Sequence, residues 1–139
     1  SLAGVRIVGV SVSCNSTLAV TAHGEVYAFG AHGPNLGLGS TGMVPGAGTL
    51  PVRIAALDGL FAVDVSAGYT HSLVTLADGR LFAFGSSEFG ALGVGDCPSG
   101  LACEPRPVQP ALSRVVCACA GFGFSVAVTQ DGRVYTWGA

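Results

Sequence analysis

One block recurs three times in this chain and limits its fold more than any other feature: IVGVSVSCNSTLAVTAHGEVYAFG, AVDVSAGYTHSLVTLADGRLFAFG and VCACAGFGFSVAVTQDGRVYTWG. The copies align without gaps. Gly24, Gly79 and Gly132 superpose, as do Phe29, Phe84 and Trp137, and then Gly30, Gly85 and Gly138. The spacing is 55 residues from Phe29 to Phe84 and 53 from Phe84 to Trp137. Self-similarity at a long, nearly fixed period marks a repeat architecture, in which each unit buries its apolar faces against its neighbours.

Each copy reads as three strands. Val8, Val10 and Val12 alternate with smaller residues, and Thr17–Thr21 and Glu25–Gly30 then form a hairpin around Ala22-His23-Gly24. The equivalent turns are Ala77-Asp78-Gly79 and Gln130-Asp131-Gly132, where Asp-Gly supplies the positive φ of a tight hairpin. Pro51-Val52-Arg53-Ile54 and Pro105-Arg106-Pro107-Val108 predict a fourth, outer strand, because proline is tolerated at sheet edges. No segment carries a helical period. One face of each hairpin holds Tyr27 and Phe29, Phe82 and Phe84, or Tyr135 and Trp137. The other holds Val26 and Ala28, Leu81 and Ala83, or Val134 and Thr136. A solvated antiparallel sheet would show one polar face. Two apolar faces, one bulky and one small, predict sheets stacked on copies of themselves: an all-β propeller of four-stranded blades. A β-helix needs shorter coils, and a sandwich would not repeat its sequence.

Composition narrows the function classes. Half the residues are hydrophobic and 10% are charged, against about 25% charged in a typical soluble domain. There are six basic residues, all arginine, and the net charge is -2. That is no electrostatic footprint for nucleic acid or an anionic membrane. No apolar stretch approaches the ~20 residues of a membrane span. No basic segment followed by an apolar one opens the sequence, so an intracellular setting is expected. Five cysteines is an odd number. Cys117 and Cys119 share one strand face, where neighbours seldom bond each other. Cys97 and Cys103 flank PSGLA and are able to close on one another, but thiols in a reducing compartment are the reading preferred. Zinc would need two close Cys/His pairs, which the sequence lacks. No cofactor or metal is called for.

The segment GYTHSLVTLADGRLFAFGSSEFGALGVGD, Gly68–Asp96, resembles the regulator of chromosome condensation (RCC1) repeat. That pattern runs Gly-x-x-His-Ser, Asp-Gly, Trp-Gly-x-Asn, then Gly-x-Leu-Gly-x-Gly-Asp. The middle copy matches at Gly68, His71, Ser72, Asp78, Gly79, Gly85, Gly90, Leu92, Gly93, Gly95 and Asp96. The first copy has Ser13 and Ser16 in place of the leading Gly and His but keeps Leu36-Gly37-Leu38-Gly39; the third has Phe124 at the His position. WD40 blades are shorter and kelch blades carry a double glycine. The resemblance implies a propeller of seven blades, of which this chain supplies about two and a half. The copies divide as residues 1–61, 62–114 and 115–139. The chain begins at Ser1 and stops at Ala139, directly after the third aromatic–glycine pair, so a fragment of a longer protein is expected.

His71-Ser72 looks like half of a nucleophilic pair, with Asp64 or Asp78 as a third member. The same positions recur in the repeat, however, and catalysis needs one constellation rather than several, so a structural role is expected. Gly37-Leu38-Gly39-Ser40 and Gly93-Val94-Gly95-Asp96 lack the following helix that a phosphate loop requires and predict tight turns. The loops Thr41–Thr49 and Cys97–Glu104 share no sequence. Partner choice in repeat proteins sits in such loops, so Met43, Val44, Pro45, Pro98 and Leu101 are the candidate contacts. The function expected is a non-catalytic protein-interaction or scaffold module, bound to a protein partner and to the remaining blades of its own propeller. The resemblance also implies two alternatives: nucleotide exchange on a small GTPase, or regulation of an attached ubiquitin ligase or kinase. No inserted wedge-like hairpin is visible for the first. A secreted inhibitor-type propeller fits poorly with the odd cysteine count.

Overall fold

The computed structural model describes residues 2–30, 34–39, 50–95, 97, 101–108, 112 and 114–139, with the backbone alone at 101–104. Among the described residues eleven strands form three antiparallel sheets. The first contains β1 (Ile7–Val12), β2 (Ser16–Thr21), β3 (Val26–Gly30) and β4 (Val52–Arg53), in that order. The second contains β5 (Ala62–Ala67), β6 (His71–Leu76), β7 (Leu81–Ser86) and β8 (Leu101–Pro107). The third contains β9 (Val115–Ala120), β10 (Phe124–Thr129) and β11 (Val134–Gly138). The proline-marked outer strands are present, β4 opposite Tyr27 and Ala28, and β8, which begins at Leu101 inside the expected loop, opposite Phe82, Ala83, Gly85 and Ser86. The only helical turns among the described residues are short 3₁₀ pieces at Pro34–Leu36, Ala55–Leu57 and Glu88–Gly90.

Strand register explains how the sheets stack. Thr17 pairs with Phe29, Ser72 with Phe84 and Ser125 with Trp137. The three aromatics therefore occupy one repeat position. One core joins Leu18, Val20, Val26 and Ala28, the small face of the first sheet, to Val65, Val74, Phe82 and Phe84, the bulky face of the second. A second core joins Leu73, Leu81 and Ala83 to Val115, Ala118, Ala127 and Trp137. Bulky face meets small face at both joints. This is the expected propeller stacking.

Of the three equivalent aromatics only Phe84 is fully enclosed. Phe29 is half-buried because the bulky face of the first sheet points away from the second; Trp137 is half-buried because β11 is an edge strand of its sheet. Repeat-equivalent pairs isolate the effect. Val10 is 68% exposed where its equivalent Val65 is 6%, and Val134 is 63% exposed where Leu81 is 2%. Position in the repeat is the same; only the neighbouring sheet differs.

The Leu-Gly-x-Gly segments, each beside a 3₁₀ piece, seat the next sheet's aromatic ring; the second begins in a turn, whereas residues 37–39 of the first form none. A Cβ on Gly37 would lie 2.9 Å from the Phe84 ring, and one on Gly93 would lie 2.7 Å from Trp137 Nε1. Both glycines also have positive φ, +67° and +64°, a region costly for any other residue. Gly93→Ala is expected to lower unfolding free energy by about 2–3 kcal/mol, combining backbone strain with overpacking. Gly132→Ala, with φ +82° but nothing within 4 Å, is expected to cost about 1 kcal/mol. Urea unfolding of the two variants measures the difference, and equal costs would refute the seat.

Candidate protein-interaction surface

Antiparallel pairing gives the stacked sheets two rims. One carries the hairpin turns at Gly24, Gly79 and Gly132. Arg6, Arg53, Arg80, Arg114 and Arg133 sit at or beside it, and Arg106 lies mid-strand opposite Ala83. On this rim Arg80 pairs with Asp78 at 2.7 Å, Arg133 with Asp131 at 3.1 Å, and Arg53 with both Glu25 and Asp58 at 3.1 Å. The Arg80 guanidinium holds the Asp78 carboxyl below its usual range, and the Thr129 hydroxyl does the same for Asp131. All of these charged side chains but the half-buried Glu25 are exposed, so each pair contributes little to stability. A cleft of about 380 Å³ opens here between Arg53, Leu57 and Phe61.

The opposite rim carries the turns between β5 and β6, and between β9 and β10, together with Glu88–Gly90. Tyr69 and Phe122, 49% and 64% exposed, stack with ring centroids 4.4 Å apart and planes 16° from parallel. Their turns are tied by Tyr69 N–H donating to the Gly121 carbonyl at 3.1 Å, and by the Thr70 hydroxyl donating to the Phe122 carbonyl at 3.3 Å. Phe89, 65% exposed, has φ +59° and lies over Gly123.

Polar side chains of the repeat are used between sheets rather than at a cleft. Ala67 N–H donates to Ser11 Oγ at 3.0 Å, and its counterpart Ala120 N–H donates to Ser66 Oγ at 2.9 Å. Ser72 Oγ donates to the Asn35 carbonyl at 2.9 Å; its counterpart Ser125 Oγ donates to the Ala91 carbonyl at 2.8 Å. Trp137 Nε1 donates to that same Ala91 carbonyl at 2.9 Å. His71 Nε2 lies 2.8 Å from Ser125 Oγ. Because the Ser125 proton points at Ala91, Nε2 is the protonated nitrogen and donates.

This arrangement removes the nucleophilic reading of His71-Ser72. The His71 partner is Ser125 of the next sheet, and the Ser72 proton is engaged elsewhere. Asp64 accepts from Val65 N–H, Asp78 pairs with Arg80, and neither reaches His71 Nδ1, which is buried without a partner among the described residues. Burial pushes the His71 imidazole down from 6.5 to about 4. The unfolded chain therefore binds more protons than the folded one between those values. Stability is fully present above pH 6.5 and falls as pH drops toward 4. The loss from pH 7.5 to pH 5 is expected to be about 2 kcal/mol and to vanish in His71→Gln. Urea midpoints at the two pH values test this, and an unchanged pH dependence in the variant would refute it. No hydrolytic turnover is expected from either protein.

Of the candidate contacts, Met43, Val44, Pro45 and Pro98 lie outside the described residues. Leu101 opens β8, its backbone opposite Ser86. Cys97 is half-buried and unpaired, and the Cys103 side chain lies outside the described residues. Among the described residues no three metal-ligating side chains cluster, and no helix is long and apolar enough to cross a membrane. The Tyr69–Phe122 stack is not singled out by the sequence, and of the inter-sheet serines only Ser72 is, as part of His71-Ser72. The serines were legible in the repeat, since Ser11 and Ser66, like Ser72 and Ser125, fall at equivalent positions.

Comparison with known proteins agrees with this geometry. The chain is 32% identical to human E3 ubiquitin-protein ligase HERC2 over 98% of its own length and 3% of that protein. It is 30% identical to a bifunctional serine/threonine-protein kinase/NEDD4-like E3 ubiquitin-protein ligase of Dictyostelium discoideum, over 96% of its length and 8% of the relative. It therefore spans a small part of these relatives. The crystal structure of human WBSCR16 superposes with a TM-score of 0.86 at 26% identity, covering 97% of this chain and 33% of that one. The regulator of chromosome condensation (RCC1) repeat model matches residues 23–75 and 78–128, and a second model of the same repeat matches 62–91. Stacked sheets, aromatic-seating glycine segments and serine seams thus have one common account: the chain belongs to the regulator of chromosome condensation repeat family.

Proposed function

We propose that this chain acts as a non-catalytic protein-interaction module, its blades a rigid platform for a protein partner and for further blades of one propeller. The observation that carries the reading is the fate of the repeat's reactive-looking side chains. His71, Ser72 and Ser125 are sealed between sheets, where no substrate reaches them. What remains open is loop and rim, the usual seat of partner choice on a repeat scaffold. Met43, Val44, Pro45 and Pro98, together with Leu101 at the start of β8 rather than in the loop, are the residues proposed to touch that partner. The unpaired Cys14, Cys97, Cys117 and Cys119 agree with an intracellular setting.

A second reading, regulation of an attached ubiquitin ligase or kinase, is favoured by the two enzymes this chain resembles. Both readings make the propeller a binding element. Affinity purification with the chain as bait tests them, alongside a variant in which residues 41–49 are replaced by glycine and serine. A partner retained by the first bait and lost by the second supports the reading; turnover by the purified chain, or no partner, overturns it.

A further inference from the structure

The rim opposite the hairpins is built unlike the rest of the surface. Tyr69 and Phe122, at the same position in successive blades, hold each other in a parallel stack while remaining about half exposed. Phe89 and Phe124 extend the patch over the neighbouring glycines, Phe89 against Gly123 and Phe124 against Gly121. Phe89 keeps a left-handed backbone, φ +59°, unfavourable for an aromatic residue, and still leaves its ring in solvent. Backbone strain that ends in an exposed ring points to use rather than packing. The Tyr69 hydroxyl has no protein partner among the described residues, so the stack also offers a free hydrogen-bonding group.

Charge selects the occupant. Five of the six arginines lie at the hairpin rim, and the chain has no lysine. The aromatic rim carries Glu88, exposed beside Phe89, and no described cation. Aromatic faces attract cations through their quadrupole, and arginine stacks on them as a plane. Single-stranded nucleic acid also stacks on aromatic rings, but it needs a positively charged track that this rim lacks.

We infer that the Tyr69–Phe122 stack, with Phe89 and Glu88 at its side, docks an arginine-bearing segment of a protein partner. This rests on the partner-binding reading above and assigns it a surface. The test tethers the full chain at low density to a biosensor and passes over it an arginine–glycine repeat peptide. The same peptide with citrulline for arginine, a glutamate–glycine peptide and poly-uridine RNA follow. The arginine peptide is expected to bind, with the citrulline form on the order of tenfold weaker. Tyr69→Ser combined with Phe122→Ser is expected to lose about tenfold in affinity with an unchanged melting temperature, and Val134→Ser to lose none. Should the double variant melt early, Glu88→Arg replaces it, and weakened peptide binding there supports the same surface. Equal binding of the citrulline peptide, full binding by the double variant, or RNA binding that depends on the same rings overturns the inference. A natural partner held equally by wild type and double variant overturns the surface while partner binding stands; no partner at all overturns the reading beneath it.

Discussion

Phe84→Ala is expected to lower the unfolding free energy by roughly 3–5 kcal/mol, the usual cost of emptying a large buried aromatic site. Phe29→Ala, at the same repeat position, is expected to cost less than about half of that. Phe84 is enclosed by the small face of the first blade and seated on Gly37, whose Cα approaches its ring so closely that a methyl group would not fit. Removing the ring leaves a cavity walled by Leu18, Ala28 and Leu36, held on β2, β3 and a 3₁₀ turn that cannot collapse independently. Phe29 faces away from that joint and is already partly hydrated. Denaturant unfolding of both variants measures the contrast. Equal losses would mean that stability resides within blades rather than between them.

The second large effect concerns the two outer faces. Val8, Val10 and Val12 are exposed on the first blade, and Val116 and Val134 on the third. The equivalent positions in the middle blade show how much of this surface a neighbouring blade would cover. Contiguous exposed apolar patches above a few hundred Å² are uncommon on soluble monomers. Concentrated alone, the 139-residue chain is expected to self-associate, so that its melting broadens as concentration rises. Because its bare faces are one bulky and one small, association should run head to tail and not close as a symmetric dimer. Sedimentation velocity across a concentration series reads the outcome. Val10→Ser with Val134→Ser should shift the chain toward monomer. A sharply melting wild-type monomer would show that three sheets suffice on their own.

The repeat made most of the architecture legible before any coordinates. Hairpin turns, proline-marked outer strands and the equivalence of Phe29, Phe84 and Trp137 all follow from aligned glycines and two-residue alternation, which are local signals. Burial was less legible, because it depends on which blade stands alongside. Val10 and Val65 have the same sequence context and opposite environments. The site was harder still. His71-Ser72 attracts attention as adjacent residues, yet β6 sends the two side chains to opposite faces, and each finds its partner in a different neighbouring blade. The Tyr69–Phe122 stack joins residues far apart in sequence, and only the approach of two turns through the Tyr69–Gly121 hydrogen bond brings the rings together.

The serine seams bear on how such a protein can change over evolutionary time. Each seam takes a hydroxyl from one blade and a backbone group from the next, so it asks nothing of its neighbour's sequence beyond a strand or a 3₁₀ turn in the right place. The ring socket is similarly permissive, since phenylalanine fills it at one joint and tryptophan at the other. A newly duplicated blade would find both couplings ready-made. Copy number can then drift by recombination within a gene, while the loops of each copy diverge freely for new partners.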